Sequence, residues 1–347
     1  MQHHETATLT FEHQQRLYLH EASLELARHG GPQALGAAAR ARCRAEQLGS
    51  SLGPTQRATV SLFADGALAT LLFSGLPHPD NDPLPERLPP LEQLEQNFAC
   101  LYLAARSQIL LELVHHRAFA FDIDNEGKQV RLVGNFKGGG SQRLPDENGH
   151  GNVELSSHAG LRLGPHTEAP YHCSVTASDG HSPAPSALIL GARWNPLGEP
   201  TCIIPLQAVI EKLGSLHVLA LTSASFDFTR SECFVAGRGD GGNATSIVQF
   251  DEHSGFTVRY NAYRFSLNDQ ACDAAAQAFD AFQAAVMQAP TLEFVLQPDN
   301  VLLINNSRAL HGRNVLRDNR RLLVRLFGYS RFAQPLLISD DPLLVRG

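Results

Sequence analysis

The chain has 347 residues, 43% of them hydrophobic, and a formal net charge of −7 from 28 basic and 35 acidic residues. That length and apolar content suffice for a buried core in one large domain or two small ones. An acidic balance with no basic block argues against a nucleic-acid groove, and no apolar run approaches the length of a membrane span. The start, Met1-Gln2-His3-His4, lacks the charged-then-apolar layout of a secretion signal. Six cysteines without C-x-x-C spacing then read as reduced thiols of a cytoplasmic protein. Nothing in the pattern sets an assembly state.

Within residues 12–50, the spacing of Leu17, Leu24 and Ala27 and the Ala/Arg-rich stretch Ala37–Gln47 predict helices. Thr59–Phe73 is apolar and fits strand or helix. Leu76–Pro90, with six prolines, predicts a loop. Leu91–Arg117 predicts a helix with Leu91, Leu94, Phe98, Leu101, Ala105 and Leu111 on one side. Strands follow at Phe119–Ile123 and Gln129–Val133, with Asn125-Glu126-Gly127 turning between them.

Farther on, short strands alternate with Gly, Pro, Asn and Asp. Candidates are Leu161–Leu163, Ala187–Ala192, Cys202–Ile204, Phe234–Val235, Ile247–Phe250, Thr257–Tyr260, Val301–Ile304 and Leu322–Tyr329. Helices fit Leu206–Leu213 and Asp269–Gln288, and Gly138-Gly139-Gly140 and Asp146–Gly151 read as polar loops. Many short strands with turn signals favour a sandwich or barrel. No linker or repeat divides the chain, so a single domain is expected.

The chemistry concentrates at His166-Thr167-Glu168 and at His311 and Arg325. On an extended chain, residues i and i+2 project from one face, so His166 and Glu168 can reach one point. His311 follows the buried strand Val301–Ile304 and supplies a second imidazole. Two His and one carboxylate form the ligand set of a non-haem Fe(II) oxygenase. By itself His-x-Glu is weak in a chain with 16 His, where it also fits a polar strand end or a helix cap. Arg325, fourteen residues after His311, interrupts the apolar run Leu322–Phe327 and needs a partner. A guanidinium there suits a bidentate carboxylate or an internal salt bridge. Gly237-Arg238-Gly239-Asp240-Gly241-Gly242 fits a nucleotide-loop pattern, but no apolar helix follows it, so a loop is the better reading.

With Asn306-Ser307-Arg308-Ala309-Leu310-His311-Gly312-Arg313 added, the chain resembles the Fe(II)/2-oxoglutarate dioxygenases of the taurine dioxygenase-like superfamily. The nearer likeness is to the clavaminate synthase, asparagine oxygenase and arginine hydroxylase branch, which writes its iron motif as His-Thr-Glu. The resemblance spans about residues 150–335. It implies a mainly β fold with flanking helices, a double-stranded β-helix (cupin-like jelly roll). One domain would cover 1–347, with a helix-rich flank at 1–117 and a core at 118–335.

The same resemblance implies that His166, Glu168 and His311 bind the catalytic Fe(II), and that Arg325 and Thr201 hold 2-oxoglutarate as co-substrate. Arg259 and Asn261 would contact substrate. Asn261 replaces an Asp of the branch and gives up its charge, which weighs against a strongly basic amino acid. The expected partners are a small-molecule substrate and O2. The expected activity is hydroxylation of an amino acid or amino-acid-derived intermediate in specialised, antibiotic-like biosynthesis. Alternatives are oxidation of a sulfonate or other small acid, a cupin-like metal-dependent hydrolase or isomerase, and a non-catalytic binding protein.

Overall fold

The computed structural model describes residues 5–79, 83–136, 160–169, 171, 175–229, 241–251 and 255–347. The chain begins with β1 (Thr6–Thr10), α1 (His13–Arg28), α2 (Ala37–Ser50), α3 (Pro54–Ala64) and β2 (Thr70–Ser74). The ambiguous stretch Thr59–Phe73 therefore splits into a helix end and a strand. Gly66, at φ 74°, makes the left-handed exit that stops the helix.

The single helix expected over Leu91–Arg117 is instead α4 (Leu91–Glu95) and α5 (Phe98–Leu113), followed by β3 (His116–Phe121). Asn97 causes the break, because its side chain accepts hydrogen bonds from the backbone N–H groups of Ala99 and Cys100 as an N-cap. From Ala99 onward α5 is buried on nearly every side, so its apolar residues form no one-sided stripe.

Next come β4 (Arg131–Gly134), β5 (Leu163–His166), β6 (Ala187–Trp194), β7 (Pro200–Pro205), α6 (Gln207–Ala220), β8 (Phe226–Phe228), β9 (Gly242–Thr245) and β10 (Val248–Asp251). The chain ends with β11 (Gly255–Val258), β12 (Phe265–Leu267), α7 (Asp273–Gln288), β13 (Leu292–Val295), β14 (Val301–Asn305), β15 (Ala309–Arg313), β16 (Leu322–Ser330), β17 (Leu337–Asp340) and β18 (Leu343–Val345). The expected strand Phe234–Val235, the loops at 138–140 and 146–151, and residues 237–240 lie outside the described residues.

Two sheets organise the molecule. A nine-stranded mixed sheet runs β1-β2-β14-β6-β16-β3-β18-β17, with β4 also paired to β16. A four-stranded antiparallel sheet runs β13-β7-β15-β5. Strands β1 and β2, within the helix-rich first 117 residues, extend the large sheet.

Alternation along the central strands explains the layering. Ile189, Val301, Leu303, Leu322, Val324 and Leu326 pack under α1, α2 and α5. Leu188, Leu190, Leu302, Ile304, Leu323 and Phe327 face the small sheet and meet Ile203 and Ala309 there. Ile204 and Leu310, on the other side of the small sheet, pack into a core with α6 and α7. A sheet covered on both faces reads as continuous apolar runs. By parity, Arg325 shares the inter-sheet face with Leu323 and Phe327. Among the described residues, no helix is long and apolar enough to cross a membrane.

Candidate functional site

The site forms where β5 meets β15. His166 pairs directly with His311, and the two ring centroids lie 4.2 Å apart. His311 also pairs with Ile203 of β7, and Ile203 belongs to the inter-sheet core, so the imidazoles open into that space. Gly312 lets the strands approach this closely: a Cβ there would lie 2.6 Å from the Leu163 carbonyl oxygen. It sits within β15 itself.

Glu168 joins from just beyond β5. One ligand atom from each of His166, Glu168 and His311 can be chosen so that all lie within 4.8 Å of one another. His311 Nε2 faces Glu168 Oε1 at 3.5 Å. His166 Nδ1 lies 2.8 Å from the Gly164 carbonyl, which makes Nδ1 the donor and leaves the Nε2 lone pair for a metal. Burial, with His311 alongside, pushes His166 down to about 4, so the ring stays neutral near pH 7. Burial works to raise the Glu168 carboxyl, but the Arg325 guanidinium, helped by His311 and His166, holds it well below the usual carboxylate range. A neutral imidazole and an ionised carboxylate are the forms that coordinate metal. The donor set therefore fits a divalent cation.

Arg325 Nη1 bonds Glu168 Oε1 at 2.8 Å, and its Nη2 lies 3.6 Å from Asp124 Oδ2. Asp124 in turn pairs with Arg131. The guanidinium also lies over the Phe327 ring, 4.0 Å from its centroid. Arg325 is thus fixed beside the candidate ligand Glu168.

Thr201 pairs with a different arginine: Arg321 Nη2 donates to Thr201 Oγ1 at 3.2 Å. Arg321 is 1% exposed, and burial pushes it down to about 10. No carboxylate among the described residues lies within ion-pair distance of it. A buried cation of that kind is stabilised by an arriving anion. Thr201 stands two residues from Ile203, the partner of His311, so it lies about 7 Å along the strand from the histidines.

Arg259 is fully buried, and it donates to the carbonyls of Val258 and Asn306 and to Ser307 Oγ. Asn261 forms a bridge with His166; its Oδ1 accepts from Tyr263 N and its Nδ2 donates to the Tyr171 hydroxyl. Sequence reasoning passed over Asp124, which no spacing links to Arg325. It also quoted Asn306 within a motif without giving it a task, although Asn306 bonds both backbone groups of Glu168.

The profile of the taurine catabolism dioxygenase TauD, TfdA family matches residues 117–327, more than half of the chain and every site residue above. No curated protein matches the sequence. Among solved structures, an asparagine oxygenase in complex with Fe(II), 2S,3S-3-hydroxyasparagine and succinate is similar, with a TM-score of 0.67 at 15% identity, over 98% of this chain and 99% of that one. The non-heme iron oxygenase OrfP with Fe, succinate and (3S)-hydroxy-L-Arg gives a TM-score of 0.64 at 19% identity, over 93% and 94%. OrfP with Fe and alpha-ketoglutaric acid gives 0.61 at 20% identity, over 92% and 93%. At these identities the likeness is one of fold.

Proposed function

This chain belongs to the taurine catabolism dioxygenase TauD, TfdA family, as a dioxygenase working with Fe(II) and 2-oxoglutarate, and on that premise we propose that it hydroxylates an amino acid or an amino-acid-derived intermediate. The observation that carries the reading is the convergence of His166, Glu168 and His311 on the inter-sheet face. We read the two sheets as a double-stranded β-helix and residues 1–347 as one domain. The continuous core joining α1, α2 and α5 to the central strands supports this.

His166, Glu168 and His311 would hold Fe(II), leaving positions for co-substrate and O2. A metal held there would activate O2, the oxidant, so that one oxygen atom goes into the succinate formed with CO2 from 2-oxoglutarate and the other into the hydroxylated substrate. The protein's part is to bind and orient. We assign the distal carboxylate of 2-oxoglutarate to Arg321 and Thr201, because Arg321 is a buried cation without an ion-pair partner among the described residues and lies on the histidines' side of the sheet space. The span from the histidines to Thr201 is of the order of a five-carbon dicarboxylate. Arg325 then keeps Glu168 ionised and places a positive charge beside the reacting groups. Spacing alone favours Arg325 for the carboxylate, and substitution of each arginine separates the two assignments.

The substrate class rests on the solved relatives of the same fold, which carry hydroxylated asparagine or arginine. Asn261, beside His166, is a neutral amide, which favours a substrate without a strongly basic side chain. A panel of amino acids, their derivatives and sulfonates, scored by substrate-stimulated succinate release, tests this. Stimulation by one or more neutral or amide amino acids, with a product one oxygen atom heavier, is expected. Stimulation by sulfonates alone rejects the amino-acid assignment. Turnover of a substrate with no need for 2-oxoglutarate would point to the hydrolase or isomerase alternative.

A further inference from the structure

His166 is held in place by the ladder of β5, but Glu168 has left the strand and needs other partners for its backbone. A single side chain supplies both. Asn306 Oδ1 accepts from the Glu168 N–H at 2.7 Å, and Asn306 Nδ2 donates to the Glu168 carbonyl at 3.3 Å. The same Nδ2 donates to the Pro185 carbonyl at 2.9 Å. Asn306 is fully buried, and its backbone is tied at both ends: its N–H donates to Ser186 O at 3.0 Å, and its carbonyl accepts from Arg259 Nη1 at 3.4 Å. It lies in the connection between β14 and β15, five residues before His311.

We propose that Asn306 is the positioning residue for the Glu168 carboxylate, an inference that rests on the metal reading of His166, Glu168 and His311. The primary amide imitates a neighbouring peptide group, offering one acceptor and one donor to a residue that has no strand beside it. Because Asn306 belongs to the connection leading into β15, the amide fixes the distance between two ligands that are far apart in sequence. Arg259, an expected substrate contact, donates to the backbone carbonyl of Asn306. An aspartate at 306 keeps an acceptor, but once ionised it has no hydrogen for the Glu168 and Pro185 carbonyls. Alanine offers neither group.

The test is Fe(II) affinity of the full chain, measured by anaerobic equilibrium dialysis without 2-oxoglutarate or substrate. Asn306→Ala and Asn306→Asp should each weaken Fe(II) binding about 10- to 100-fold, the usual effect of removing a group that orients a ligand. Ser307→Ala, which removes a contact to Arg259 in the same turn but none to Glu168, should bind like the parent. Folded Asn306 variants with parental affinity, or equal weakening by Ser307→Ala, would overturn the proposal. Glu168→Ala separates the two levels: if it binds Fe(II) normally, the metal reading fails, not the role of Asn306 alone. Should neither Asn306 variant fold, amide exchange at Glu168 in the metal-free parent decides. Slow exchange at this residue outside any strand supports the clamp, and exchange at the rate of an open loop overturns it.

Discussion

Replacing Arg321 with leucine asks which of two arginines, Arg321 just before β16 or Arg325 within it, receives the distal carboxylate of 2-oxoglutarate. Arg321 is 1% exposed, donates to Thr201 Oγ1 at 3.2 Å and is pushed down to about 10 by burial. Removing a desolvated guanidinium that lacks an ion-pair partner among the described residues relieves a folding cost, so the variant should fold. Losing a charge-assisted contact to the co-substrate costs about 1.5–3 kcal/mol, or about ten- to over a hundredfold in affinity. The assay is the KM for 2-oxoglutarate at saturating Fe(II), with anaerobic calorimetry of 2-oxoglutarate binding as a check. Arg321→Leu should raise KM within that range and leave Fe(II) affinity near the parent's. Arg325→Leu should act chiefly on Fe(II) affinity, because it strips Glu168 of its 2.8 Å partner. The opposite pattern, with the KM effect in Arg325→Leu and none in Arg321→Leu, refutes the assignment and restores the fourteen-residue spacing from His311 as the guide.

Gly312→Ala would place a Cβ 2.6 Å from Leu163 O and 3.1 Å from Gly164 O, forcing β5 away from β15. A loss of about 1–3 kcal/mol in chemical denaturation, together with weaker Fe(II) binding, is expected, and an unchanged midpoint would show that β5 yields freely. Asp124→Asn removes the carboxylate between Arg131 and Arg325, so its unfolding free energy should fall by about 3–5 kcal/mol, and a change below 1 kcal/mol would exclude Asp124 as a main support. His116, buried with Nδ1 2.8 Å from Val114 O, has its pKa pushed down to about 4 by burial, from 6.5. Between those values the unfolded chain takes a proton that the folded one refuses, so this group's effect is absent above pH 6.5 and destabilises progressively down to pH 4. His116→Phe should flatten that part of the stability profile, and an identical slope in the variant would contradict the assignment.

The parts of the fold legible in the sequence are those buried on both faces. Ala187–Ala192, Val301–Ile304 and Leu322–Tyr329 are apolar throughout because helices cover one side and the small sheet the other. Strand β15 escapes the same reading. Its residue Leu310 packs into the core with α6 and α7, while His311, on the other face, is polar because it belongs to the candidate site, so no continuous apolar run marks the strand. The break at Asn97 is hidden for another reason: leucines continue across it, and one capping side chain decides the outcome. The candidate ligand set was readable because His166 and Glu168 stand two residues apart and His311 falls in the downstream motif. The choice between Arg321 and Arg325 was not, since the two stand four residues apart and only the position of β7 brings Thr201 to one of them. Asn306 lay in plain view within the motif, but its partner is a backbone, which leaves no trace in spacing.

The most direct measurement uses 18O2 with Fe(II), 2-oxoglutarate and the amino acid that best stimulates succinate release. Oxidation at the His166, Glu168 and His311 centre predicts one labelled oxygen in succinate and one in the hydroxylated product, with both signals lost in His311→Ala. Unlabelled product, or full labelling in His311→Ala, would contradict the account.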